Sequence, residues 1–236
     1  MNRIKVIAFD ADDTLWENEI FFREAEHKLS VLLSEFGDEK TITDKLFELE
    51  LKNIALYGYG VKNFILSAIE TAMEVSDSSV SNKTLKDIIE VGNDILRKPV
   101  VLLDDVREIL PEIAKSYKII LATKGDLLDQ QSKVARSGLA DLFQHVEVMS
   151  DKKKYNYESL LKQLQVKPEE FLMIGNSLKS DVLPVLELGA NAVHIPFHTT
   201  WIHEMVSEDD LKGKEFIKLN SFKELMHLMS PSQPAL

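Results

Sequence analysis

The stretch Ile4–Trp16, IKVIAFDADDTLW, decides how the rest of this 236-residue chain is read. Residues 4–9 are a short apolar run rich in β-branched side chains, the composition of a buried strand. The run stops at three acids within four positions, Asp10, Asp12 and Asp13. Two carboxylates about 4 Å apart repel by ~4 kcal/mol at an effective dielectric of 20. Such crowding persists only where a cation lies between the acids, where they share a proton, or where the side chains diverge. Alternation along an extended strand puts Asp10 and Asp12 on one side and Asp13 on the other. A hard cation such as Mg²⁺, which takes oxygen ligands and keeps positions open for phosphate, suits the Asp10/Asp12 side. The competing reading is that the acids cap the turn or the helix that follows.

Outward from this stretch the apolar period changes. From about Glu17 to Lys98, Phe21, Ala25, Leu29, Leu32 and Phe36 recur at helical spacing, as do Val61, Phe64, Ile65, Ala68, Ile69 and Ala72. Gly37, the Gly58/Gly60 pair and the SDSSVS run at 76–81 divide this region into roughly four helices. After Pro99 strands and helices alternate. Strands are expected at 117–123, 145–150, 171–175 and 192–196, and helices at 129–139, 157–165 and 182–190. An edge strand and a closing helix are expected within 216–229, and residues 230–236 read as a frayed tail. Alternation of this kind implies a mostly parallel sheet with helices on both faces. The expected fold is therefore α/β, a Rossmann-like doubly wound sheet. Its core spans 1–16 and 99–236 and is interrupted by an all-helical insertion over 17–98.

Composition narrows the function. Cysteine is absent, which removes disulfides, thiolate nucleophiles and cysteine-based zinc sites. No apolar run approaches the ~18–20 residues that span a bilayer, and the N-terminal run is too short for a signal peptide. A cytoplasmic protein with no membrane partner is expected. The net charge of −11 is opposite in sign to that of a nonspecific nucleic-acid binder. It also repels anionic small molecules at long range, so a phosphorylated ligand needs a local cluster of cations and amides.

In a parallel α/β sheet ligands bind beyond the carboxyl ends of the strands. Asp10, Asp12 and Asp13 lie at one such end, and three other ends carry suitable groups. The run ILAT ends in Thr123, followed by Lys124 and Gly125, a hydroxyl and free amides at a strand-to-helix turn. After the third strand comes SDKKKYNY, where one lysine can offset the charge of the acids and of a phosphate. After the fourth comes GNSLKSD, 175–181, in which Asp181 and the Asn176 carboxamide offer oxygen ligands. Each group also has an ordinary structural reading as a cap or a solvated lysine. Together, at successive strand ends, they are far less easily dismissed.

This arrangement resembles the haloacid dehalogenase (HAD) superfamily of phosphohydrolases. DADDT matches the D-x-D-x-T motif at Asp10, Asp12 and Thr14, and ILAT matches the second motif at Thr123. The third-motif lysine falls in KKKYNY, where spacing to the following helix favours Lys154 over Lys152 or Lys153. GNSLKSDVLPVLELGA resembles the acidic fourth motif, and the helical insertion resembles a C1-type cap. The resemblance implies that Asp10 is the nucleophile and that Asp12 is the general acid and then the general base. It implies that Thr123, the Lys124 amide and Lys154 bind the phosphoryl group. It further implies that Mg²⁺ is held among Asp10, Asp12 (through its carbonyl), Asn176 and Asp181. Thr14 is expected to brace the loop. Two positions depart from the pattern: the fourth motif begins Gly175-Asn176 where Gly-Asp is usual, and Lys124 stands where relatives often have Asn. The neutral Asn176 implies weaker metal binding or more reliance on Asp181.

The expected activity is Mg²⁺-dependent hydrolysis of a small phosphorylated metabolite through an aspartyl-phosphate. A phosphoryl-transferring mutase shares the same motifs. A haloacid dehalogenase has no leaving oxygen for Asp12 to protonate, and Asn176 is the one feature favouring a non-catalytic phospho-ligand binder. The segment 196–204, PFHTTWIHE, brings His198, Trp201, His203 and Glu204 after the last core strand. It reads as a structural loop with Trp201 packed on the core in preference to a metal or leaving-group contact. Trp16 and Glu17 fall where the chain enters the helical insertion, and Tyr57–Gly60 form a loop within it.

Overall fold

The computed structural model describes residues 3–199 and 201–229; the expected frayed tail at 230–236 lies outside them. Six strands form one parallel sheet in the order β3-β2-β1-β4-β5-β6. They are β1 (Val6–Phe9), β2 (Lys118–Lys124), β3 (Val146–Met149), β4 (Phe171–Gly175), β5 (Asn191–His194) and β6 (Ile217–Lys218). Phe9 is in register with Leu121 of β2 and Ile174 of β4, so β1 is central and its end is flanked by two other strand ends. The order changes direction at β1, the place where a doubly wound sheet opens a crevice.

Alternation along β1 divides the sheet into two dry layers. Ile7 and Phe9 pack with Ile119, Leu121, Ile174 and Val193 against α5 (Val106–Ala114) and α10 (Leu225–Met229). Val6 and Ala8 face the other way, with Ile120, Ala122, Met173 and Phe171 against α7 (Lys154–Leu164) and α8 (Leu183–Leu186). α6 (Leu127–Ser137) supplies Val134 to the first layer. α9 (Glu208–Leu211) is a single turn whose Ser207 cap accepts from the Asp210 amide.

The expected α/β class is the one observed. Two elements differ from expectation. α5 was not anticipated, although Val106, Ile109, Leu110 and Ile113 have helical spacing; Pro111 inside it hides the signal, because proline removes a helix hydrogen bond. The expected helix 182–190 is a π-turn at Leu178–Val182 followed by only one turn of α8. Ser177 starts that turn by accepting from the Ser180 amide. The turn packs so closely on β4 that a Cβ at Gly175 would sit 2.2 Å from Asp181 Oδ2.

The chain divides into two compact units. One holds the sheet and runs through Glu17, Val100–Lys124 and from Ser132 onward. The other comprises Asn18–Pro99 with Gly125–Gln131. It contains α1 (Glu19–Leu32), α2 (Glu39–Tyr57), α3 (Val61–Val75) and α4 (Asn82–Arg97). Its core includes Leu29, Phe64 and Ala68 from the apolar stripes read in the sequence, joined by Leu33, Ile42, Leu46 and Ile88. α3 and α4 meet at Gly92, where a Cβ would lie 2.1 Å from Ile65 Cγ1, so no larger residue fits there. Asp38 and Ser81 cap α2 and α4 through the amides of Thr41 and Thr84. Among the described residues no helix is long and apolar enough to cross a membrane.

Candidate active site

β1 ends at Phe9, and the chain then turns sharply through Ala11–Trp16. The Leu15 amide donates to Ala11 O at 2.8 Å, the Asp13 amide to Trp16 O at 2.7 Å, and Asp13 adopts φ +59°. The strand alternation expected for the acids therefore stops at Asp10. The carboxylates of Asp10 and Asp12 have separate lysine partners, Lys152 and Lys133, and Asp12 still adds its charge to the environment of Asp10.

Asp10 is buried and bonded to Lys152, whose Nζ lies 2.5 Å from Asp10 Oδ1 and 2.6 Å from Asp181 Oδ1. The Lys152 side chain is 1% exposed. Burial by itself pulls its pKa down, but the two carboxylates outweigh that and hold the ammonium charged. For Asp10, burial is the largest influence and raises the carboxyl to about 7. Lys152 opposes the rise, and Asp181 and Asp12 add to it. One ammonium does not neutralise this cluster of acids.

Lys154, favoured by the sequence, is not the lysine beside Asp10. It is the first residue of α7 and is exposed. α7 begins three residues before the expected 157, which moves Lys154 onto the helix surface and leaves Lys152 in the loop that dips under the strand ends. Lys153 is exposed as well and pairs with Asp151.

Thr14 and Asn176 complete the near side of Asp10. The Thr14 hydroxyl lies 3.3 Å from Asp10 Oδ2 and 3.2 Å from Asn176 Oδ1, and it accepts from the Asn176 amide at 3.0 Å. Thr14 thus braces β1 against the β4 turn. His194 Nε2 sits 2.9 Å from Asn176 O and backs this turn from β5. Thr123 is buried at the end of β2, two residues beyond the partner of Phe9. Its hydroxyl donates to Lys124 O at 3.4 Å, long for an O–H···O hydrogen bond.

The expected metal quartet of Asp10, Asp12, Asn176 and Asp181 does not converge through its side chains. Among the described residues no three carboxylates or imidazoles are arranged to hold a metal. Asp181 is committed elsewhere, with Oδ1 on Lys152 and Oδ2 accepting from the Ser177 amide at 3.0 Å. The Asp12 carboxylate accepts from the Trp16 indole at 2.8 Å and from Lys133 Nζ at 3.0 and 3.1 Å. Asp10 Oδ2 and Asn176 Oδ1 are hard oxygens that both lie within hydrogen-bond reach of the Thr14 hydroxyl.

The Lys124 side chain is engaged by neighbouring protein groups. Its ammonium donates to Ser180 Oγ at 2.9 Å and forms an ion pair with Glu204. Glu204 also accepts from Ser180 Oγ at 2.6 Å and from Ser177 Oγ. Burial alone would raise its carboxyl; Lys124 and the two serines overcome this and bring it down to about 2. Within 196–204, Glu204 is thus the residue that supports the site. The His198 and His203 rings lie beside Phe197 and Trp201. Lys133 went unseen in the sequence because it acts on Asp12 across a large separation with no motif around it; Glu204 was named in the sequence, but its pairing with Lys124 was not.

A family model for haloacid dehalogenase-like hydrolases matches residues 4–189. The chain is a haloacid dehalogenase-like hydrolase. A haloacid dehalogenase-like family hydrolase from Xanthomonas campestris shares its fold at a TM-score of 0.80 and 39% identity, over 84% of each chain. A glyceraldehyde 3-phosphate phosphatase of Pyrococcus furiosus is 28% identical over 92% of this chain and 88% of its own length. The mouse N-acylneuraminate-9-phosphatase is 21% identical over 86% and 84%. The superfamily expected from DADDT is the one found, and its phosphatase branch agrees with these named relatives.

Proposed function

We propose that this hydrolase is a Mg²⁺-dependent phosphomonoesterase that acts on a small phosphorylated metabolite through Asp10. The observation that carries the proposal is the buried Asp10–Lys152–Asp181 ion cluster, which follows the end of β1, the strand paired with the one that carries buried Thr123. In this reading Asp10 attacks phosphorus and forms an aspartyl-phosphate while the ester P–O bond breaks. Asp12 gives its proton to the departing oxygen. Asp12 then takes a proton from water as the water oxygen bonds to phosphorus. The bond from phosphorus to Asp10 breaks, phosphate leaves, and Asp10 and Asp12 are ready for another cycle. Lys152 takes the role expected of Lys154 and offsets charge on the nucleophile and the transferring group. Thr123 and the Lys124 amide hold phosphoryl oxygens.

The donor set fits a magnesium ion. Asp10 Oδ2 and Asn176 Oδ1 are hard oxygens beside one hydroxyl, and the raised Asp10 carboxyl has unmet demand for positive charge. Asp10 and Asn176, with the Asp12 carbonyl that the family resemblance implies, would hold it. When bound it supplies charge neutralisation for a phosphate entering an acidic site. The helical unit is assigned the part of the cap, the substrate's non-phosphate portion is left to it, and the cytoplasm is the proposed compartment.

The test is phosphate release from a panel of phosphorylated metabolites with and without Mg²⁺. Metal-dependent turnover that Asp10→Asn and Asp12→Asn each abolish is expected. No release from any ester in the presence of the metal rejects the proposal in favour of a binder. Retained activity in Asp12→Asn toward a haloacid points to dehalogenation.

A further inference from the structure

Of the three acids that follow β1, Asp10 and Asp12 each bond to a different lysine. Asp10 takes Lys152; Asp12 takes Lys133, which bonds to both of its oxygens. The Asp12–Lys133 pair is shielded without being sealed, its side chains 21% and 13% exposed. Both donors to Asp12 are anchored. Trp16 is buried, and its neighbours are stitched to the segment before α5: the Glu17 amide donates to Val101 O and the Leu103 amide to Leu15 O, each at 2.9 Å. Lys133 stands on α6 next to Val134, which is fixed in the core.

We propose that Lys133 is a positioning residue that, with the Trp16 indole, aims the Asp12 carboxylate for its part in turnover. This rests on the acid–base role given to Asp12 under Proposed function. A carboxylate gripped through both oxygens keeps one rotamer, whereas a released one spreads over several and meets the proton-transfer geometry less often. The loss falls mainly on the second half-reaction. There Asp12 takes a proton from water, the water oxygen bonds to phosphorus, and the phosphorus–Asp10 bond breaks with its electron pair returning to Asp10. It falls on the first half-reaction only where the leaving oxygen needs protonation. An aryl oxide departs without that help and an alkoxide does not.

The test compares p-nitrophenyl phosphate with an alkyl phosphate, in the presence of Mg²⁺, for the wild type, Lys133→Met, Lys133→Gln and Lys133→Arg. With the aryl ester, Met and Gln are expected to lower kcat about 10- to 100-fold. Their kcat/KM stays within about twofold, and a burst of nitrophenolate precedes the slow phase. With the alkyl ester, kcat/KM falls as well, and Arg restores most of kcat with both. An unchanged kcat in Met and Gln overturns the inference. So does an equal fall of kcat and kcat/KM for both esters, which is the mark of a structural role. A wild type without metal-dependent turnover rejects the underlying phosphatase reading instead. The stem of Met or Gln preserves the aliphatic packing of Lys133, and burst size counts active sites should either variant fold incompletely.

Discussion

In the proposed mechanism Lys152, paired with buried Asp10, is the residue that keeps Asp10 usable as a nucleophile. A carboxylate so deeply buried pays a large desolvation cost, which the ammonium reduces without abolishing, leaving Asp10 near 7. Lys152→Met is therefore expected to lower kcat/KM for a phosphate ester by about 10²- to 10³-fold, the loss seen when one stabilising donor is removed from an active site. Lys154→Met, which changes an exposed helix residue, is expected to stay within about twofold of wild type. Steady-state kinetics on both variants checks the assignment; the reverse pattern returns the role to Lys154. The sequence carried the right cluster of three lysines but not the member, because burial depends on where α7 starts. A shift of three residues at one helix end exchanges a buried ammonium for a solvated one.

At the scale of elements, Glu204 ties together three strand-end segments: Lys124 at the end of β2, Ser177 and Ser180 after β4, and its own loop after β5. The turn it grips also carries Asp181, which holds Lys152. With the folded carboxyl lowered to about 2 from the ordinary glutamate value of 4.5, Glu204 contributes stability that is present above pH 4.5 and lost as pH falls toward 2. That difference corresponds to about 3 kcal/mol at most. Glu204→Gln is expected to melt lower at pH 6 and to show a shallower acid decline than wild type between pH 5 and 3. Parallel melting curves across that range count against the clamp.

Glu50 on α2 has the opposite sign. Burial is the main cause, with Glu26 and Glu19 adding to it and Arg23 opposing, and its carboxyl rises to about 8. Its stabilising contribution is full below pH 4.5 and is lost as pH rises through 8. Glu50→Gln is expected to melt a few degrees above wild type at pH 9 and to match it near pH 5. A wild-type advantage at pH 9 contradicts a proton held on Glu50. Neither behaviour was legible in the sequence, where Glu50 and Glu204 are two acids among 39.

For the whole molecule, a net charge of −11 faces a substrate that is itself anionic. The field acts at long range and salt screens it, while the buried lysine is screened little. kcat/KM is expected to rise by about twofold between 20 and 150 mM salt at fixed Mg²⁺. A fall instead means that local cations already dominate the approach. The alternation of strands and helices after Pro99, the helical stripes of residues 17–98 and the order of motifs at the strand ends were all readable, because burial on one face imprints a period on the chain. The positions of Asp10, Asp12, Thr14 and Thr123 near the ends of β1 and β2 were readable for a related reason, since the apolar runs that mark those strands end beside them. Sequence alone could determine these local properties. Tertiary structure alone decided which of three lysines reaches Asp10, that Asp181 serves Lys152, that Asp12 belongs to Lys133, and that Lys124 is held by Glu204. Those pairings join residues 29 to 142 positions apart. Electrostatic pairing depends on distance and burial in space, and neither is written along the chain.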